Sequence, residues 1–326
     1  MFKNIVFTLL AVALFVPSAE AAKPQRPAKT VKAASAKPLR TAKVAKKTLR
    51  PSKAVVHRVR AVRVAAPEVS EHSGHFDVKS TAALVIEPGE GRTLYAKNVD
   101  SVQPIASITK VMTAMVVLDA GLDLRESITI TEDDIDLLKH TRSRLKVGTV
   151  LERDELLRLA LMASENRAAS ALGRAYPGGL GAFVAAMNQK AFDLGMTRTR
   201  FVDSSGLSSD NVSTAHDLAK MVTAAYRYPL IQEYTTLTGH AVRTNDGRVL
   251  SFRNTNGLVR DDAWHIDVSK TGYIAEAGKC LVMQARIAAK PIVIVLLDSW
   301  GKYTRIGDAN RIKKWIESPL ARAVQG

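Results

Sequence analysis

The sequence predicts an α/β protein of the α+β type, in which both ends of the globular part build one antiparallel sheet and helices flank it. Strand-like patterns occur within residues 82–95 and again within residues 264–297. Between these two regions the apolar residues recur at spacings of three and four, which is the period of an α-helix. We therefore expect the two ends to meet in the sheet, beside an all-helical middle region.

The N-terminal part of this pattern predicts a hairpin and then helices. Apolar runs at 82–86 and 93–95 flank a turn rich in Pro and Gly, which is typical of a hairpin. Residues 105–118 are apolar nearly all round and predict a buried helix, and residues 156–162 predict a second one. Further helices are predicted around 183–194, after a cap at Ser213 or Thr214, and over 306–315 with Pro319 as its stop.

The period changes to two near the C-terminus. Trp264, Ile266 and Val268 alternate with polar residues, and apolar runs at 280–287 and 292–297 flank a short turn. This pattern predicts three consecutive strands.

Residues 1–21 have the pattern of a secretory signal peptide. Lys3 precedes an apolar core at 5–16, and a small-x-small cleavage site ends at Ala21. This pattern predicts export to the periplasm, and the apolar core is too short for the alternative of an uncleaved membrane anchor. Export argues against nucleic acid as a partner, and the single cysteine, Cys280, excludes an internal disulfide.

The positive charge is concentrated in one low-complexity segment. The formal net charge of the 326 residues is +16, and residues 23–63 hold fourteen Lys and Arg with no Asp or Glu. We expect residues 22–70 to be a disordered basic linker, since this composition cannot bury a core, and residues 71–326 to form the folded domain. An anionic envelope polymer or membrane surface is one expected partner of the linker, and a solvated spacer is the alternative.

Three Ser-x-x-Lys motifs begin at Ser107, Ser143 and Ser299. On a helix this spacing places a lysine amine beside a serine hydroxyl, where the amine can act as general base. Only Ser107 stands near the start of a predicted buried helix, where apolar surroundings lower the pKa of Lys110. An ordinary helix-start serine is the alternative reading of this motif alone.

Two more motifs support the choice of Ser107. Ser164-Glu165-Asn166 follows a predicted apolar helix and offers a second hydroxyl and an amide, whereas the rival triplet 209–211 lies in a loop rich in Gly, Ser and Asp. Lys270-Thr271-Gly272 continues the strand that begins near Trp264. A lysine and a threonine on a strand can face a carboxylate, and the glycine lets a substrate backbone approach.

The three motifs in this order are the signature of penicillin-binding proteins and class A β-lactamases. The chain resembles the low-molecular-mass penicillin-binding proteins, the serine D,D-peptidases of the bacterial cell wall, and within them the type-7 D-alanyl-D-alanine endopeptidases. This resemblance implies a β-lactamase/transpeptidase-like fold and covers about residues 78–317. The matching stretches are 105–115, 161–169, 211–215, 252–256 and 270–273.

The resemblance also implies roles for these residues. Ser107 would be the acylated nucleophile, Lys110 its general base, and Ser164 part of the proton network. Lys270 would lower the pKa of Lys110 by like-charge repulsion.

The substrate-binding residues implied by the resemblance are Asn166, Lys270, Thr271, Gly272 and Tyr273. Lys270 would hold the substrate carboxylate with the help of Thr271. The backbone N–H groups of Ser107 and Tyr273 would form the oxyanion hole.

The expected function is that of a serine-type D-alanyl-D-alanine endopeptidase, which cleaves peptidoglycan cross-links and is trapped by β-lactams. A D-alanyl-D-alanine carboxypeptidase is the first alternative, but membrane-bound carboxypeptidases of this family usually add a β-rich domain and an amphipathic anchor after the Lys-Thr-Gly strand. A β-lactamase is disfavoured because no Glu-x-x-x-Asn segment follows Asn166 before Lys270. The alternative from another class is a non-catalytic envelope-binding protein that acts through residues 22–70. No metal or organic cofactor is implied.

Overall fold

The computed structural model describes residues 77–89 and 91–318. The predicted signal peptide (1–21), the predicted basic linker (22–70), the first residues of the predicted domain and the predicted helix stop at Pro319 lie outside the described residues. No helix in the described ranges is long and apolar enough to cross a bilayer.

A five-stranded antiparallel sheet joins the two ends of the described chain, as the sequence predicted. The first two strands lie at one edge, and the last three complete the sheet in the order β2-β1-β11-β10-β9. Its strands are β1 (Ala82–Glu87), β2 (Arg92–Lys97), β9 (His265–Ile274), β10 (Gly278–Ile287) and β11 (Lys290–Ser299).

Helices occupy the region between the two groups of strands, and one more follows the sheet. They are α1 (Thr109–Asp119), α2 (Arg153–Met162), α3 (Asn166–Arg174), α4 (Gly179–Asp193), α5 (Ala215–Ala225), α6 (Pro229–Thr236) and α7 (Thr304–Glu317). Three short two-stranded pairs lie among them: β3 (Gln103–Pro104) with β6 (Val212–Ser213), β4 (Ser127–Thr129) with β5 (Val150–Glu152), and β7 (Gly239–Arg243) with β8 (Val249–Arg253).

Both faces of the central sheet are buried, because successive side chains of a strand point to opposite faces. On β11, Val293, Val295 and Leu297 join the core formed with α1 to α6. The alternate residues Ile292, Ile294 and Leu296 join the second core, which α7 covers. The sheet is therefore sandwiched between the helical region and the last helix.

Helix α1 lies inside the larger core and is buried almost throughout, as expected from its apolar sequence. It begins four residues later than predicted, after a 3-10 turn at Ala106–Ile108. Ala106 has a φ of 48°, a left-handed conformation that cannot continue a helix. This turn brings Ser107 to the helix entrance instead of into its body.

Candidate active site

A cleft of about 270 Å³ opens beside the entrance of α1, the junction between α2 and α3, and strand β9. All three motifs chosen from the sequence contribute to it. The residues that line it are Ser107, Ser164, Asn166, Thr255, Thr271, Gly272, Tyr273 and Arg305.

Lys110 lies beneath Ser107, with its Nζ 2.8 Å from Ser107 Oγ. The residues are three apart, so the 3-10 turn and the first turn of α1 place both side chains on one side. Lys110 is fully buried, whereas Ser107 is partly exposed to the cleft. Nζ also lies 2.7 Å from Asn166 Oδ1 and 2.6 Å from the carbonyl oxygen of Ser205.

Burial lowers the pKa of Lys110 from 10.5 to about 7, although the carboxylates of Asp203, Glu165 and Asp136 oppose the shift. A neutral amine has two hydrogens and one lone pair. The Ser205 carbonyl and Asn166 Oδ1 are acceptors, so they take the two hydrogens. The remaining lone pair faces the Ser107 hydroxyl, which is the arrangement that a general base needs.

Lys270 and Ser164 form a second lysine–serine pair at the cleft. Lys270 Nζ donates to Ser164 Oγ at 2.8 Å and to the carbonyl of Thr271 at 3.0 Å. Burial lowers the pKa of Lys270 well below its ordinary value, and repulsion from Lys110 and Arg305 adds to the effect. From the residues, apolar surroundings were expected to lower the pKa of Lys110, and the family resemblance added repulsion from Lys270. Burial is the cause that acts on Lys110, whereas the repulsion between the two lysines lowers the pKa of Lys270.

Ser164, which lies between α2 and α3, has an unusual backbone conformation. Its φ is 59°, in the left-handed region that normally favours glycine and that costs other residues about 1–2 kcal/mol. This turn separates α2 from α3 and directs the Ser164 hydroxyl toward Lys270. The fold therefore accepts local strain to place a hydroxyl at this point of the cleft.

Gly272 is required by the chain itself. A Cβ at this position would lie 2.8 Å from the carbonyl oxygen of Ile105, because β9 passes directly against the turn that carries Ser107. The sequence analysis gave a different reason, namely room for a substrate backbone. The structure shows that the missing side chain first makes room for the Ser107 turn.

Tyr273 and Thr271 complete the side of the cleft that β9 forms. Thr271 Oγ1 donates to Thr255 Oγ1 at 2.7 Å, and Tyr273 is 60% exposed with the ammonium of Lys279 4.1 Å from its ring centroid. Ser107 and Tyr273 both line the cleft, and the resemblance implies that their backbone N–H groups form an oxyanion hole there. Their role as an oxyanion hole stays a prediction.

Arg305 was missed by the sequence analysis. It lies at the start of α7, and its Nη1 donates to the carbonyls of Gly272 and Cys280 at 3.1 and 3.2 Å. Its buried Nε has no hydrogen-bond partner within the described residues. No local motif marks this arginine, since only the packing of α7 on the sheet brings it to the cleft.

The motifs that the sequence analysis rejected lie elsewhere. Ser299 is buried against Ser80, and Ser143 closes a turn with Leu145. Asn211 of the rival triplet is fully buried, where Nδ2 donates to Thr109 Oγ1 and thereby braces the start of α1. Asn211 thus stabilises the helix that carries Lys110, although it lies outside the cleft.

Comparisons with known proteins agree with the geometry. Residues 66–301 match peptidase family S11, described as D-alanyl-D-alanine carboxypeptidase. A D-alanyl-D-alanine endopeptidase of Pseudomonas aeruginosa is 46% identical over 249 residues, which is 76% of this chain and 80% of that protein. The Streptomyces K15 DD-transpeptidase has a TM-score of 0.69 and 28% identity, and covers 74% of this chain and 98% of its own.

Penicillin-binding protein D2 from Listeria monocytogenes, solved in the ampicillin-bound form, has a TM-score of 0.63 at 31% identity, over 74% of this chain and 98% of that one. The family match spans more than two thirds of the chain and includes every predicted site residue. This chain therefore belongs to the S11 family of D-alanyl-D-alanine carboxypeptidases.

Proposed function

We propose that the protein is a serine D-alanyl-D-alanine endopeptidase, which hydrolyses peptide cross-links of peptidoglycan through an acyl-enzyme on Ser107. The observation that carries this proposal is the 2.8 Å contact between Ser107 Oγ and the buried Nζ of Lys110, whose pKa is about 7. The names and identities of the relatives support the choice of substrate.

Acylation follows from the orientation of the Lys110 lone pair. Ser107 Oγ attacks the carbonyl carbon of a D-alanyl peptide bond while its proton passes to Lys110 Nζ. The tetrahedral intermediate collapses, the carbon–nitrogen bond breaks, and Lys110 returns the proton to the leaving amine. Water then hydrolyses the ester, with Lys110 again accepting a proton and returning it to Ser107 Oγ.

The other side chains of the cleft bind and orient the substrate. Ser164 Oγ accepts a hydrogen bond from Lys270, so its own hydroxyl proton is available to a bound group. Thr255 Oγ1 accepts the proton of Thr271 and so keeps its own, and together with Arg305 it presents donors to the cleft that are suited to a substrate carboxylate. A β-lactam carries a carboxylate and a reactive amide, so it is expected to occupy the same positions and acylate Ser107.

Products from isolated cell wall distinguish the possible activities. Sacculi are digested with the wild type, Ser107→Ala and Ser209→Ala, and the muropeptides are identified by mass spectrometry. Ser209 belongs to the rejected triplet, so its variant is the matched control. The proposal predicts that wild type and Ser209→Ala convert cross-linked dimers into monomers and that Ser107→Ala does not. Release of terminal D-alanine alone would assign the carboxypeptidase alternative, and no product at all would favour a non-catalytic envelope-binding protein.

Periplasmic location and an anionic partner for residues 22–70 are further parts of the proposal. They rest on the signal-like pattern and on the concentration of positive charge in the sequence. A chain lacking residues 22–70 is expected to bind sacculi more weakly than the full chain, and the difference should shrink at high salt because salt screens charge. Equal binding at low salt would identify the segment as a spacer.

A further inference from the structure

We infer that Asp136 and Thr141 are positioning residues, which fix the orientation of the Asn166 side-chain amide and thereby the direction of the Lys110 lone pair. The inference rests on the proposed function, since that direction matters only if Lys110 is the base. Neither residue belongs to a motif identified in the sequence. Both lie in the loop between β4 and β5, outside the residues that line the cleft.

Asp136 organises this loop as an acceptor. Its carboxylate accepts hydrogen bonds from the backbone N–H groups of Leu138, Lys139 and Thr141, each at 2.9 Å, and from Thr141 Oγ1 at 2.7 Å. Burial opposes ionisation of this side chain, but the hydrogen bonds outweigh burial and lower its pKa. An ionised carboxylate has no proton to donate. The only hydroxyl proton of Thr141 is therefore committed to Asp136.

The orientation of Asn166 follows from this commitment. Thr141 Oγ1 lies 3.0 Å from Asn166 Nδ2 and, having given its proton to Asp136, can only accept. The amide must therefore present its NH₂ group to Thr141. Its oxygen then faces Lys110 Nζ at 2.7 Å and takes one of the two amine hydrogens. Each group thus donates toward Asp136: Lys110 Nζ donates to Asn166 Oδ1, Asn166 Nδ2 to Thr141 Oγ1, and Thr141 Oγ1 to Asp136.

A second contact holds the loop in place from the opposite side of the cleft. Lys139 pairs with Glu276, which lies in the turn between β9 and β10. This ion pair fixes the loop relative to β9 but takes no part in the chain of hydrogen bonds. It therefore offers a control that disturbs the loop without changing the direction of any bond to Asn166.

Replacing Thr141 by valine removes the acceptor and keeps the shape of the side chain. The Asn166 amide is then able to rotate and donate from Nδ2 to the Lys110 lone pair. That bond stabilises the neutral amine and removes an acceptor from the ammonium form, so both changes lower the pKa of Lys110. The carboxylates that act on Lys110, namely Asp203, Glu165 and Asp136, all remain in this variant, as does the neighbouring Lys270. The lone pair is occupied, so acylation slows even where Lys110 is neutral.

The test measures the second-order rate of acylation by a fluorescent penicillin between pH 5 and 9, using the full chain. For Thr141→Val we expect the acylation rate to reach a plateau roughly tenfold lower than in the wild type, which corresponds to the loss of about one hydrogen bond. The midpoint of its pH profile should move to lower pH. Thr141→Ser should restore both to wild-type values, and Lys139→Gln should leave the midpoint unchanged. Thr141 is exposed, so valine is compatible with folding, and Thr141→Ala provides a second variant with the same expected shift.

A wild-type plateau and midpoint in Thr141→Val would overturn the inference. So would a lower plateau with an unmoved midpoint that Thr141→Ser fails to restore, because a merely structural role has that signature. Failure of the proposed function is a different result, since the wild type itself would then show no acylation of Ser107.

Discussion

Replacing Lys110 by methionine is expected to abolish acylation and yet stabilise the fold at acidic pH. Lys110 is completely buried, and burial lowers its pKa from 10.5 to about 7. A pKa shift of one unit is worth about 1.4 kcal/mol. Below pH 7 the burial of the charged amine therefore lowers the free energy of unfolding by roughly 5 kcal/mol. Methionine is unbranched, fills similar space and carries no charge.

Two terms set the net gain and its dependence on pH. Methionine leaves the Asn166 and Ser205 acceptors without their bonds to Lys110, at a cost of about 1–2 kcal/mol each. We therefore expect a net stabilisation of roughly 2 kcal/mol at pH 6. Between pH 7 and 10.5 the unfolded chain binds more protons than the folded one, so wild-type stability rises with pH and the advantage of the variant falls.

Urea unfolding of both proteins at pH 6, 7, 8 and 9 measures this difference. Lys146→Met is the matched control, because Lys146 belongs to a rejected Ser-x-x-Lys motif and is exposed. For this control, the difference in the free energy of unfolding from wild type is expected to be the same at every pH. A Lys110→Met protein that is less stable than wild type by the same amount at every pH would refute the reasoning.

Further predictions concern the pH profile, a glycine and an arginine. The rate of Ser107 acylation by a fluorescent penicillin should rise with pH to a plateau with a midpoint near 7, and a rate independent of pH between 5 and 9 would exclude Lys110 as the titrating base. Gly272→Ala should slow acylation at least tenfold and lower the free energy of unfolding in urea by about 1–3 kcal/mol, because its Cβ would meet the Ile105 carbonyl. The control is Gly181→Ala, whose Cβ would meet nothing within 4 Å and which should fold normally. Arg305→Gln should raise KM for carboxylate-bearing peptides more than it lowers kcat, and the reverse pattern would show that Arg305 does not bind the carboxylate.

The sheet and the buried helix were predictable because their sequences hold long apolar runs. β11 is apolar over most of its length because both of its faces are buried, and α1 lies inside the core. Helix α3 was not predicted because it is only 9 residues long and its buried residues are small, with Leu172 as the one large apolar side chain among them. The hairpin of β7 and β8 was missed because each strand buries only one residue, Val242 or Phe252.

The same distinction applies to the site. Ser107 with Lys110, and Ser164 with Asn166, were found because their spacing is local and set by a helix or a helix end. The contacts of Arg305 and Thr141 with the site depend on how α7 and a loop pack in three dimensions, so no short motif carries them. The apolar helix correctly predicted that burial lowers the pKa of Lys110, whereas the repulsion that acts on Lys270 depends on how β9 packs against the turn before α1.

The state of the Lys110 amine can be measured without any reaction. Lysine labelled with ¹³C at Cε and ¹⁵N at Nζ gives an NMR signal for each side chain that moves on protonation, and the Lys110 signal is the one missing from Lys110→Met. We expect a titration midpoint of about 7 for this signal in the unacylated wild type. A Lys110 amine that remains protonated above pH 9 would contradict it.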